Sequence, residues 1–141
     1  MNKENLVKLA KSILEKVTDD QFNMESFRSI GGGDPCDFKS KNDCGTIGCA
    51  LGWAPFVKGL EVVEGDFDCF GELCFYVYSK RVFGVIKTPQ WGFLFNGCWC
   101  DADNTREGFV KRVIYLLEGG VVFSKTTSQY EEINPNKIYN Y

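Results

Sequence analysis

Between Cys44 and Pro55 the chain runs Cys-Gly-Thr-Ile-Gly-Cys-Ala-Leu-Gly-Trp-Ala-Pro without one charged side chain, small residues alternating with large. A run of this kind belongs in an interior, so the rest of the chain has to be arranged to cover it. Thr46 suits the N-cap of a short helix over 46–54, with Ile47, Leu51 and Ala54 on one face and Ala50 and Trp53 beside it. Gly48 and Gly52 are four residues apart and share nearly one face of that helix. Glycine destabilises a helix interior, so close approach of a second backbone is the expected reason for both. Pro55 kinks or ends the helix near Trp53.

Two longer helices supply the cover. Leu6, Leu9, Ala10, Ile13, Leu14 and Val17 recur at helical spacing over 4–17, with Lys and Glu opposite. Residues 104–118 repeat the pattern with Phe109, Val110, Val113, Ile114, Leu116 and Leu117; Asn104 and Glu107 resemble a capping box, and Gly119-Gly120 stops the helix. Phe22, Met24 and Phe27 anchor an irregular stretch, and Ser29–Pro35 reads as a connector. Leu60–Val63 suits a brief strand. Leu73–Phe83 fits either a strand or a helix ending at Gly84, and Pro89 opens one or two helical turns. Val121–Phe123 suits a short edge strand. The expected fold is mainly α, with room for two or three short strands: one compact helical domain over 1–125 and a polar tail over 126–141.

At 141 residues with a net charge of −3, the chain is long enough for a real core and lacks the basic footprint of a nucleic-acid binder. The acids Glu61, Glu64, Asp66, Asp68 and Glu72 read as a solvated loop face. No secretory signal or membrane-length apolar run is visible, and seven cysteines without a signal fit a reducing cytoplasm. The absence of histidine removes Ser-His and Cys-His pairs, His-ligated metals and the usual base near neutral pH.

The pattern Phe22-x-Met24-x-x-Phe27, then Cys44-Gly45-Thr46-x-x-Cys49-x-x-Gly52-Trp53-Ala54, resembles a family of small uncharacterised proteins of tailed phages and prophages. Tyr78-Ser79-x-Arg81-x-Phe83-Gly84, Trp91-x-x-Leu94-Phe95, Trp99 and Asn104-Thr105-x-x-Gly108-x-x-x-Arg112-x-Ile114 extend the likeness over roughly residues 20 to 120. The resemblance implies a phage or prophage origin and a small, mainly helical domain. It implies no activity. Cys36, Cys69, Cys74, Cys98, Cys100 and the tyrosine-bearing tail lie outside that pattern.

Several constellations invite chemistry. Cys44, Gly45 and Thr46 at the start of the central helix would make an anion site for a small ligand or nucleotide derivative, with Cys44 as a thiolate activated by the helix dipole. A nucleophile there lacks a base. Cys44, Cys49, Cys98 and Cys100 could converge on a structural zinc, although their spacing is not that of CxxC knuckles and Cys49 suits a small core residue. Asp101, Asp103, Thr105 and Glu107 fail a calcium loop at Arg106 and Arg112 and suit helix capping instead. The triple glycine 31–33 lacks the Gly-Lys-Ser/Thr ending of a phosphate loop. Trp91, Phe93, Phe95 and Trp99 fall within nine residues, as a core corner between helices or as an exposed face for a partner.

The expected function is therefore non-enzymatic. It is that of a phage-encoded accessory protein binding a host or phage protein in the host cytoplasm, with Trp91, Phe93, Phe95 and Trp99 as contact residues, no cofactor, no metal, no nucleic acid and no membrane. Homo-oligomerisation stays open. The alternative is a small-ligand binder using Cys44, Gly45 and Thr46; the third is a zinc-stabilised module.

Overall fold

A computed structural model describes residues 1–24, 29–30, 34–35, 46–85, 88–95, 104–120, 122–123 and 139–140. The fold is mainly α. Helix α1 spans Lys3–Lys16, and its N-cap Asn2 accepts from the Asn5 amide at 3.1 Å. Helix α2 spans Ala50–Trp53 and continues as a 3-10 turn over Ala54–Phe56. Helices α3 (Phe75–Phe83), α4 (Thr88–Phe95) and α5 (Arg106–Leu117) follow. Five two-residue strands complete the description. β1 (Ser29–Ile30) pairs antiparallel with both β2 (Asp34–Pro35) and β3 (Thr46–Ile47), and β4 (Val122–Phe123) pairs in parallel with β5 (Tyr139–Asn140).

Amphipathic spacing explains the longest contact, α1 on α5. Leu6, Leu9 and Ile13 of α1 and Phe109 and Val113 of α5 are all lost to solvent. Two polar clasps fix the pair end to end. Arg106 donates to the Val17 carbonyl at 2.6 Å and to Asp19 at 2.7 Å, while the Lys3 ammonium reaches the Leu117 carbonyl at 3.3 Å. Both cations thereby satisfy carbonyls near helix C-termini, where the chain's own donors run out. Leu14 and Ile114, expected on the apolar faces, are instead 42% and 48% exposed.

Helix α3 resolves the ambiguous segment. It ends at Gly84, whose φ of 61° is left-handed backbone that glycine enters without strain. The amino terminus crosses at that point: the Asn2 amide donates to the Phe83 carbonyl at 2.6 Å, and Asn5 Nδ2 donates to the Val82 carbonyl at 2.7 Å. A β-carbon on Gly84 would lie 3.4 Å from Asn2 N and Met1 Cα.

Four local expectations are corrected. Thr46 does not cap a helix over 46–54; it lies in β3, and α2 starts only at Ala50 with Cys49 as N-cap. The reason is Gly48, whose amide donates to the Gln21 carbonyl at 3.0 Å and whose carbonyl accepts from the Asn23 amide at 3.1 Å. That bridge beside Phe22 holds the backbone extended, so Gly48 lies outside a helix. The connector over 29–35 holds the paired strands β1 and β2. No strand forms over Leu60–Val63, because its backbone groups are taken otherwise: Leu60 O by the Tyr78 hydroxyl (2.6 Å), Glu61 O by Arg81 (2.9 Å) and Val63 N by Asp66 (2.9 Å). The cap of α5 is Thr105, accepting from the Gly108 amide at 3.0 Å. Asn104 Oδ1 accepts from the fully buried Arg112 at 2.8 Å.

Candidate binding surface

The residues expected to do chemistry are placed as follows. Cys44 and Gly45 lie outside the described residues, and Thr46 belongs to a strand rather than to a helix start. Helix α2 begins at Ala50, so Thr46 does not stand at a helix N-terminus. Cys49 is fully buried, and burial pushes its thiol up to about 11 against the pull of the Gly52 and Leu51 amides. It is a small core side chain, unsuited to donate a thiolate to zinc or to substrate. Cys98 and Cys100 lie outside the described residues. Among the described residues no three His, Cys, Asp or Glu side chains are placed to hold a metal ion.

Among the four aromatic residues expected on a contact face, Phe93 and Phe95 are 0% and 1% exposed. Phe95 packs against Phe83 at 5.7 Å and Phe109 at 6.4 Å between ring centres, and Phe93 against Tyr115 at 5.4 Å. Both therefore join helices inside the core and are withdrawn from any partner. Trp91 is half-buried; its indole N–H donates to Ser79 Oγ at 2.8 Å and its ring lies 6.3 Å from Tyr76. Trp99 lies outside the described residues. A groove lined by Ser12, Ile13, Lys16, Val17, Trp53, Phe56 and Val57 encloses about 40 Å³, room for a water molecule rather than a metabolite.

The accessible feature is the turn between Asp66 and Cys74. Phe67 and Leu73 form an antiparallel bridge, with Asp68 N donating to Glu72 O and Cys74 N to Asp66 O, each at 2.9 Å. Inside that frame Asp68 Oδ1 accepts from both the Phe70 and Glu72 amides at 2.9 Å, an Asx-type closure. Gly71, at φ 81°, supplies the left-handed residue the turn needs. At its tip Phe70 is 86% exposed, the most exposed large apolar side chain among the described residues.

The base of the turn is clamped to α3. Asp66, 1% exposed, meets Arg81 through Nε–Oδ1 (2.8 Å) and Nη2–Oδ2 (2.6 Å). Asp66 is thus no member of a solvated acidic face. Burial pushes its pKa up, but the Arg81 and Val63 hydrogen bonds outweigh this and hold it below the ordinary carboxylate value. The same pairing raises Arg81. Burial pushes the Tyr78 phenol far up, keeping it the donor to Leu60 O, while the Arg81 guanidinium lies 5.7 Å from its ring centre.

Glu61, Glu64, Asp68 and Glu72 remain exposed around this clamp, and no Lys or Arg occurs in 61–72. The Gly59 amide lowers the Glu61 pKa. Val63, Tyr76 and Val77 flank the turn in sequence and are each exposed above two-fifths. Sequence reasoning missed Phe70, although an Asp-x-x-Gly turn signal presenting Phe between acids is visible in Asp68-Cys69-Phe70-Gly71-Glu72. Comparison of the chain with family models, curated proteins and solved structures finds no match.

Proposed function

We propose that this is a small phage-encoded accessory protein that acts without catalysis, by binding a host or phage protein in the host cytoplasm. The observation that supports it is the Phe70 ring, exposed at the tip of a turn whose backbone is fixed by hydrogen bonds to Asp68. A pre-ordered backbone loses little conformational entropy on docking, and aromatic anchors dominate interface energetics. Binding through 67–77 replaces the expected use of Phe93 and Phe95. The resemblance to tailed-phage proteins and the lack of histidine agree with an adaptor or inhibitor of this kind. Among the described residues, no helix is long and apolar enough to cross a membrane.

The test is a cross-linked pull-down from bacterial lysate with tagged wild type and Phe70→Ala, quantified by mass spectrometry. One protein enriched by wild type and lost with Phe70→Ala is the expected result. Equal recovery with both chains, or none with either, refutes binding through this ring.

A further inference from the structure

We infer that the surface around Phe70 takes a partner of one particular chemistry, a protein with an apolar pocket bordered by Lys or Arg; this rests on the protein-binding reading above. Three observations support it. Phe70 stands out from the domain on a braced turn, so what receives it must be concave and apolar. The exposed acids Glu64, Asp68 and Glu72 lie within six residues of it in sequence with no cation in 61–72, whereas Glu61 lies in the field of Lys58, so the sequence around the ring is acidic and calls for a cationic rim opposite. Arg81, which reaches into the segment from α3, is already bound to Asp66 and to Glu61 O, which leaves Glu64, Asp68 and Glu72 without it as a partner.

The division of labour differs between the two parts. Phe70 supplies the buried contact that slows dissociation, whereas the rim acids steer encounter and reject acidic partners. Glu64 and Glu72 are the side chains to alter. Asp68 is spent on closing the turn and Glu61 accepts from the Gly59 amide, but no side-chain bond of the fold depends on Glu64 or Glu72 among the described residues.

The experiment uses the full chain and the protein it captures from bacterial lysate. Retention is measured for wild type, Phe70→Ala, Glu64→Gln/Glu72→Gln and Glu64→Lys/Glu72→Lys, each first shown to melt like wild type. It is repeated between about 0.05 M and about 0.5 M salt, a range over which surface charges become screened. Carbodiimide coupling, which joins carboxylates to contacting lysines, then maps the rim. Expected is a partner lost with Phe70→Ala, weakened about tenfold by the charge reversal and less by the neutral pair, released by salt, and coupled through its lysines to Glu64 or Glu72. A partner dependent on Phe70 but indifferent to both charge and salt overturns this inference and leaves the protein-binding reading intact. Coupling to Lys3, Lys8, Lys11 or Lys16 of another copy of this chain also overturns it, in favour of self-association. If no protein is captured at all, both readings fall.

Discussion

Arg81 grips Asp66 with two parallel hydrogen bonds, Nε to Oδ1 at 2.8 Å and Nη2 to Oδ2 at 2.6 Å, and the carboxylate is shut away from solvent. The two residues are fifteen apart in sequence, and their pairing ties the loop 61–74 to α3. Arg81 also donates to Glu61 O, so one guanidinium fastens the loop at two points. Removing the cation leaves a buried carboxylate with the Val63 amide as its remaining donor in this cluster. Arg81→Met is expected to cost about 2 kcal/mol, below the figure for fully buried pairs because the arginine side chain is 40% exposed. Urea unfolding measures it, and a loss under about 0.5 kcal/mol would show the pair to be ornamental.

The same pair makes stability depend on acid. Asp66 has a folded-state pKa below its ordinary 3.8, so its contribution is complete above that value. It is lost as pH falls from there through the folded pKa, where protonation breaks the pair. Melting temperature followed downward from neutral pH should therefore drop more steeply for wild type than for Asp66→Asn in that acidic window. Parallel curves would mean that Asp66 titrates normally in the fold.

Gly84 offers a backbone test. At φ 61° an L side chain is strained, while the new β-carbon would lie in ordinary contact with the amino-terminal backbone at 3.4 Å. Gly84→Ala is expected to destabilise by about 1–2 kcal/mol, although alanine is the better helix former. Chemical unfolding of wild type and Gly84→Ala measures the difference, and equal stability would show that the φ strain is relieved.

What was legible in the sequence was what local periodicity encodes. Helices α1 and α5 announce themselves because the apolar residues at 6, 9 and 13 and at 109, 113 and 116 must share a face to be buried together. The end of α3 at Gly84 was open in the same way, as a glycine after a run of periodic residues. The start of α2 was not, since it depends on Gly48 pairing with Gln21 and Asn23 some twenty-five residues earlier. The strand expected over 60–63 failed partly for a similar reason: Tyr78 and Arg81, both distant in sequence, claim the Leu60 and Glu61 carbonyls, while Asp66, three residues on, takes the Val63 amide. Arg112 ran against pattern too, because a cation on the apolar side of α5 is tolerable only where an acceptor such as Asn104 faces it.

Cysteine reactivity should follow burial. Cys69 is exposed, whereas Cys49 is enclosed and its thiol is raised from 9.0 to about 11. Brief alkylation of the native protein near neutral pH, followed by peptide mapping, should label Cys69 and leave Cys49 untouched until denaturant is added. In alkali the sign reverses that of Asp66: Cys49 stabilises the fold below pH 9 and loses that contribution as pH rises toward 11. Fast native labelling of Cys49 would contradict the packing around α2.

Phe93 and Phe70 are aromatic residues of two kinds, one that the fold needs and one that it does not. Phe93 touches no solvent and packs on Tyr115, so Phe93→Ala leaves a cavity and is expected to cost about 3–5 kcal/mol. Phe70 contributes its amide to the turn, and any residue supplies that; its ring lies almost wholly in water. Phe70→Ala should therefore change stability by no more than about 0.5 kcal/mol while removing the partner. The pair of substitutions, measured by thermal melting and by retention on the same resin, decides between the two aromatic clusters. If Phe70→Ala destabilised the chain as Phe93→Ala does, the ring would belong to the core, and its exposure could no longer be assigned to binding.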